Sequence, residues 1–108
     1  MVLGVFFQGL AQYEKAIDYY NKSLSVQPHD AEVCNNRGNV RYTLNDYEGA
    51  LDDFNQALSL NPKYAEAYNN RGTALYKLKR YEEALDDFEQ VSVLHPDYAD
   101  AYTIFNKY

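Results

Sequence analysis

The chain has 108 residues, is 46% hydrophobic and 24% charged, and sets ten Lys and Arg against sixteen Asp and Glu for a net charge of −6. That length holds one domain rather than two, and that balance suits a folded soluble chain rather than a disordered tail. An acidic chain is repelled by phosphate backbones, so nucleic acid is not an expected partner, and no run of 18 apolar residues is present to span a bilayer.

The most apolar stretch comes first, from Met1 to Leu10, with no basic residue ahead of it and no small-residue cleavage site behind it. It makes a poor signal peptide. Beyond it the chain repeats: Pro28, Pro62 and Pro96 stand 34 residues apart, and Ala31–Tyr64 matches Ala65–Tyr98 at 19 of 34 positions. A fixed period of that length marks a stacked-repeat architecture. Gly4, Gly38 and Gly72 recur in register, as do Leu10, Leu44 and Leu78, then Tyr13, Tyr47 and Tyr81, then Ala16, Ala50 and Ala84. Tyr20, Phe54 and Phe88 keep an aromatic ring in register.

Each unit reads as two helices. In 31–64 and again in 65–98, an apolar stripe at helical spacing is broken near the middle and ends before the proline. Tyr68, Gly72, Leu75 and Leu78 mark the first helix of the later unit, and Tyr81, Ala84, Leu85, Phe88 and Val91 the second. Asp30 and Asp97 are N-cap candidates for the helices that follow them. Small residues at 72 and 84 let the two helices approach while Tyr68 and Phe88 fill the space beside them. One hairpin cannot bury its own stripe, so hairpins must stack. The expected fold is all-α, a right-handed α-solenoid of antiparallel helix pairs: a partial repeat at 1–30, complete repeats at 31–64 and 65–98, and a terminal helix at 99–108.

The 34-residue period, the Gly–Ala–aromatic–Pro ladder and the doubled Asn-Asn-Arg-Gly at 35–38 and 69–72 resemble the tetratricopeptide repeat family over essentially the whole chain. Departures are local. Cys34 stands where the family usually has Trp, Arg41 replaces a large side chain that is Leu75 one repeat on, and Asn106 replaces a glycine.

Arg37 and Arg71 occupy first-helix sites where the first repeat has Leu3, and Asp53 and Asp87 occupy second-helix sites where it has Tyr19. Folding a hairpin brings these sites level. The expectation is an ion pair Arg37–Asp53, another Arg71–Asp87, and an apolar contact Leu3–Tyr19.

A search for chemistry finds none. His29 and His95 flank prolines with no Cys or carboxylate cluster around them, so neither metal nor cofactor is expected. The single cysteine, Cys34, sits at a packing position, and its lack of a disulfide partner suits a reduced, cytoplasmic setting. Glu82 and Glu83 with Asp86 and Asp87 make an acidic helix face with no acid–base partner. The sequon Asn21-Lys22-Ser23 falls inside an expected helix and reads as chance. The chain is expected not to be an enzyme.

What remains is surface. The resemblance implies that first helices line a concave groove in which a peptide of a partner protein lies. Carried over by position, the groove would present Asn35, Asn36, Asn39 and Tyr42 from one repeat, with Asn69, Asn70, Thr73, Tyr76 and Lys77 from the next. Side-chain amides both donate and accept, and so pair with any peptide backbone; tyrosines add contact area at low entropic cost. Asn36 and Asn70, at matching positions, form a two-rung amide ladder. Some family members clamp a chaperone's carboxylate tail with Lys and Arg; here Asn39 and Asn70 suit the amide part, but Asn35, Asp100 and Ile104 occupy the cationic places. The alternative is a module that forms a homo-oligomer through apolar ends, Met1 to Phe7 and Tyr102 to Tyr108.

Overall fold

A computed structural model describes residues 2–96, with side chains from Gly9 onward. Five helices follow in order: α1 (Val2–Val26), α2 (Ala31–Thr43), α3 (Tyr47–Leu60), α4 (Ala65–Lys77) and α5 (Tyr81–Leu94). Each packs on the next, and α2 also touches α4. Helices α2 and α3 form one antiparallel hairpin and α4 and α5 another, stacked into an all-α solenoid. The expected helix at 99–108, the cap at Asp97 and the apolar ends lie outside the described residues or side chains.

The hairpin turns are built alike. Asn45 and Lys79 adopt left-handed backbone, φ 66° and 64°, and reverse the chain. Asp30 caps α2 by accepting from the Val33 amide, as expected, and Asp46 caps α3 by accepting from the Gly49 amide. Tyr64 and Arg80 stand at the corresponding places in the later hairpin and make no side-chain cap.

Two apolar clusters hold the stack. Ala50, Leu51 and Phe54 from α3 meet Ala74 and Leu75 from α4 and Ala84 and Phe88 from α5. Cys34, Ala57, Leu58 and Ala67 form the second, with Leu24, Tyr64 and Tyr68 against them. The recurrent glycines permit the closest approach. A methyl on Gly38 would come within 2.5 Å of the Phe54 ring, and one on Gly72 within 3.1 Å of the Phe88 ring.

The first repeat departs from the expected pattern. Instead of a hairpin broken near residue 11, α1 runs unbroken through 25 residues. The reason is legible at the turn. Ala11 occupies the place of Asn45 and Lys79, and alanine is the best helix former and a poor occupant of left-handed backbone. Gln12 replaces the capping Asp46 and lacks the short side chain a cap requires. On a straight helix, residues 3 and 19 are separated by about 24 Å, so the expected Leu3–Tyr19 contact within the chain is not made. Tyr19 is 68% exposed.

Candidate functional site

Both faces of the first helices carry polar side chains, and they do different things. On α2, Arg37 and Arg41 lie one turn apart and point toward α3. Arg37 grips Asp53 with two hydrogen bonds, Nε to Oδ2 at 3.0 Å and Nη2 to Oδ1 at 2.7 Å, and Arg41 Nη1 adds a third at 3.1 Å. On α4, Arg71 grips Asp87 in the same bidentate way, at 2.8 and 2.7 Å. Both carboxylates are buried, 2% and 3% exposed. The expected ion pairs of the two complete repeats are therefore formed.

The structure adds a partner for each arginine. Arg37 Nη1 donates to Asn21 Oδ1 on α1 at 2.8 Å, and Arg71 Nη1 donates to Asn55 Oδ1 on α3 at 3.0 Å. Each guanidinium thus ties its own hairpin to the preceding unit. Asn21 and Asn55 recur at the 34-residue period, and that recurrence is the sequence signal for the link. The hydrogen bonds to the carboxylates raise the pKa of both arginines. Burial pushes the Asp87 carboxyl up, with Arg71 working against it.

These arginines line two clefts, one between α3 and α5 and one between α1 and α3. One, of about 360 Å³, is rimmed by Glu48, Asp52, Glu83 and Asp86, with Arg71 beneath and Arg80 at its end. The other, of about 490 Å³, lies one repeat earlier, over Cys34, Arg37 and Arg41. Arg80 is itself bound to Glu83. Among the described residues no group of His, Cys, Asp or Glu could hold a metal ion.

The opposite face of α2 and α4 carries the residues expected to bind a peptide. Asn36, Asn39, Tyr42, Asn69, Asn70 and Thr73 are partly exposed, and Tyr76 and Lys77 are exposed. Thr73 turns its hydroxyl back to the Asn69 carbonyl at 2.9 Å. Tyr42 and Tyr76 each meet a tyrosine across the turn, Tyr47 and Tyr81, with ring centroids 5.3 Å apart in both pairs.

Asn35 corrects the expectation. It is fully buried, 0% exposed, and lines no surface. Its Oδ1 accepts from Asn70 Nδ2 at 3.0 Å, bridging α2 to α4, while its own Nδ2 has no partner of good geometry. It also lies beside Tyr64, whose hydroxyl pKa is raised by burial and by Glu66 and lowered by the Asn35 amide. Of the two amides expected to face a peptide, Asn70 is bonded to Asn35 between neighbouring repeats, and Asn36 is partly exposed. A buried amide satisfied on one side fixes the stacking register of two helices.

With this geometry in place, likeness to known proteins is informative. The tetratricopeptide repeat pattern matches residues 65–98 and 6–58, and a TPR repeat pattern matches 38–79. The first TPR of Spaghetti (RPAP3), solved bound to the HSP90 peptide SRMEEVD, is 33% identical with a TM-score of 0.84, over 96% of this chain and 82% of that one. The chain belongs to the tetratricopeptide repeat family. The second TPR of Spaghetti, bound to the same peptide, is 34% identical over 85% of each chain, with a TM-score of 0.76. The Arabidopsis OM64 TPR domain is 29% identical over 96% of this chain and 84% of that one, with a TM-score of 0.84. No curated protein matches the chain at the same stringency. The family is a non-catalytic protein-interaction fold, and the chain is one of its interaction scaffolds. Among the described residues, no helix is long and apolar enough to cross a membrane.

Proposed function

We propose that the chain binds a peptide segment of a partner protein along the face shared by α2 and α4, without catalysis of its own. The supporting observation is that two TPR domains, 33% and 34% identical to it, are solved with a peptide bound. The contacts would come from Asn36, Asn39 and Tyr42 on α2 and from Asn69, Thr73, Tyr76 and Lys77 on α4. Asn70, with one N–H committed to Asn35, would reach the ligand with its oxygen and its second N–H.

The peptide would differ from the acidic tail that those relatives hold. At the places where the family's clamp puts Lys and Arg, this chain has Asn35, Asp100 and Ile104, and Asn35 is buried. With Lys77 as a single cation beside amides and tyrosines, the face suits an extended segment read through its backbone and its apolar side chains. A reduced, cytoplasmic setting is part of the proposal and rests on the single cysteine.

A displayed peptide library panned on the chain tests this, with Asn36→Ala/Asn39→Ala/Lys77→Ala as the comparison. That variant spares Asn70, whose loss would strand the buried Asn35 and confuse binding with stability. Enriched peptides that bind the variant at least tenfold more weakly support the proposed face. Peptides that bind both chains equally place the contact elsewhere. The peptide SRMEEVD is expected to bind weakly, and tight binding would refute the clamp argument.

A further inference from the structure

Helix α1 contains both halves of a hairpin that it does not close. Gly4 stands in the register of Gly38 and Gly72, and Tyr20 in the register of Phe54 and Phe88, the rings that cover those glycines. In the straight helix these two positions are 16 residues apart, about 24 Å along the axis. Nothing in α1 itself can bring them together.

The consequence is visible on the second half of α1. Ala16 and Tyr20 are partly exposed, whereas their counterparts Ala50 and Phe54, and again Ala84 and Phe88, are buried, with the Phe54 ring against Gly38 of α2 and the Phe88 ring against Gly72 of α4. A stripe written to be covered by a first helix is left half open.

We propose that a second copy of the chain covers it. Two α1 helices would lie antiparallel about a two-fold axis near residue 12, with the first half of each against the second half of the other. Within a repeat, Gly38 meets Phe54 about a midpoint at residue 46, and Arg37 meets Asp53 about residue 45. The equivalent midpoint in α1 is residue 11 or 12, which is also where the axis must fall for Gly4 of one copy to meet Tyr20 of the other. The contacts that close a hairpin within one chain are then made between two, and a two-fold exchange satisfies both stripes at once.

The turn decides between the closed and the exchanged forms. Leu44-Asn45-Asp46 closes a hairpin with a left-handed residue and a cap, and Leu10-Ala11-Gln12 offers neither. Lys79-Arg80 closes the later hairpin without a favourable turn, so turn residues bias the outcome and do not forbid closure. In α1, though, both turn residues favour continued helix. The occupant is specified because each half of α1 matches the other half of the same sequence in register. This inference rests on repeat register and not on the peptide-binding face, so either can fail alone.

The test is molar mass by light scattering over a concentration series, on the full chain and on Ala11→Asn/Gln12→Asp. The wild type is expected to reach the dimer mass. The variant, given the turn of the second repeat, is expected to keep its helical signal by circular dichroism and to dimerise at least tenfold more weakly. A wild type that stays monomeric throughout overturns the proposal. So does a folded variant that dimerises as strongly as the wild type, since the contact would then lie on another surface. If the variant loses its helical signal, Gly9→Ala decides. Gly9 has open space around it, and alanine there favours the straight helix. Dimerisation should strengthen, and unchanged or weaker association overturns the exchange.

Discussion

The hairpins α2–α3 and α4–α5 share 19 of 34 residues across their repeats and the same arginine–carboxylate–asparagine link, yet they are held differently. The earlier one has two side-chain caps, an asparagine at its left-handed turn and two arginines on one buried carboxylate. The later one has neither cap, a lysine at the turn and Leu75 in place of the second arginine. In exchange, Tyr68 replaces Cys34, donates to the Pro62 carbonyl at 2.9 Å and lies under the Arg71 guanidinium. A repeat therefore prescribes which positions must meet, and leaves open which bonds hold them.

The sharpest way to break this comparison is to remove one arginine from each repeat. Arg71→Leu leaves Asp87 buried with no replacement cation at position 75, and is expected to cost about 3–5 kcal/mol. Arg37→Leu leaves Asp53 in contact with Arg41, and is expected to cost about 1.5–3 kcal/mol, the range for lost hydrogen bonds to a charged group. Urea unfolding of both variants checks the order. Equal losses would show that Arg41 contributes nothing once Arg37 is gone.

The glycines come next. At Gly38 an added methyl would push directly into the Phe54 ring, which is itself fully buried, so Gly38→Ala is expected to cost about 1–3 kcal/mol. At Gly72 the nearest atoms, the Phe88 ring and Asp87 Cβ, are 3.1 and 3.2 Å away, so smaller shifts accommodate the methyl than at Gly38. Thermal unfolding should rank Gly38→Ala clearly below Gly72→Ala. The reverse order would mean that the ring at 54 has room to move.

These differences show what the sequence reveals and what it hides. The period, the helix pairs and the Arg37–Asp53 and Arg71–Asp87 pairs were readable because each depends on positions a fixed distance apart. The unbroken α1 was readable too, at Ala11 and Gln12, but register with the other repeats argued for a hairpin and outweighed local propensity. Asn35 was not readable. Its neighbour Asn36 has the same side chain, and helical spacing does not say which of two adjacent asparagines turns into the stack; only the position of α4 settles that. The same holds for the face proposed to bind a peptide, whose polar residues have no distinguishing pattern until the buried one is set aside.

A smaller effect sharpens the turn comparison. Lys79 holds φ 64° without the local hydrogen bonding that suits asparagine to this region. Lys79→Asn is expected to stabilise the later hairpin by about 0.5–1 kcal/mol, while Asn45→Lys should cost the earlier one a similar amount. Asp46→Ala should cost about 1 kcal/mol through its cap. Chemical denaturation of the three variants checks the signs, and a destabilised Lys79→Asn would locate the turn's stability in contacts other than backbone conformation.

The smallest effect is a dependence on pH, and two carboxylates of α5 contribute to it with opposite signs. Burial holds the Asp87 carboxyl above its ordinary 3.8, against the pull of Arg71. The folded chain therefore takes up a proton there before the unfolded chain does. Its contribution is fully present below 3.8 and is lost as pH rises through the folded value. Exposed Glu83 behaves in reverse, because the hydrogen bond from Arg80 lowers it from 4.5, so its contribution is present above 4.5 and fades as pH falls through the lower value. Comparing wild type with Asp87→Asn from neutral to acidic pH isolates the first effect. The stability difference should move in favour of the wild type as pH falls toward 4. If it moves the other way, the bidentate grip of Arg71 outweighs burial, and the later repeat holds its carboxylate by charge rather than in spite of it.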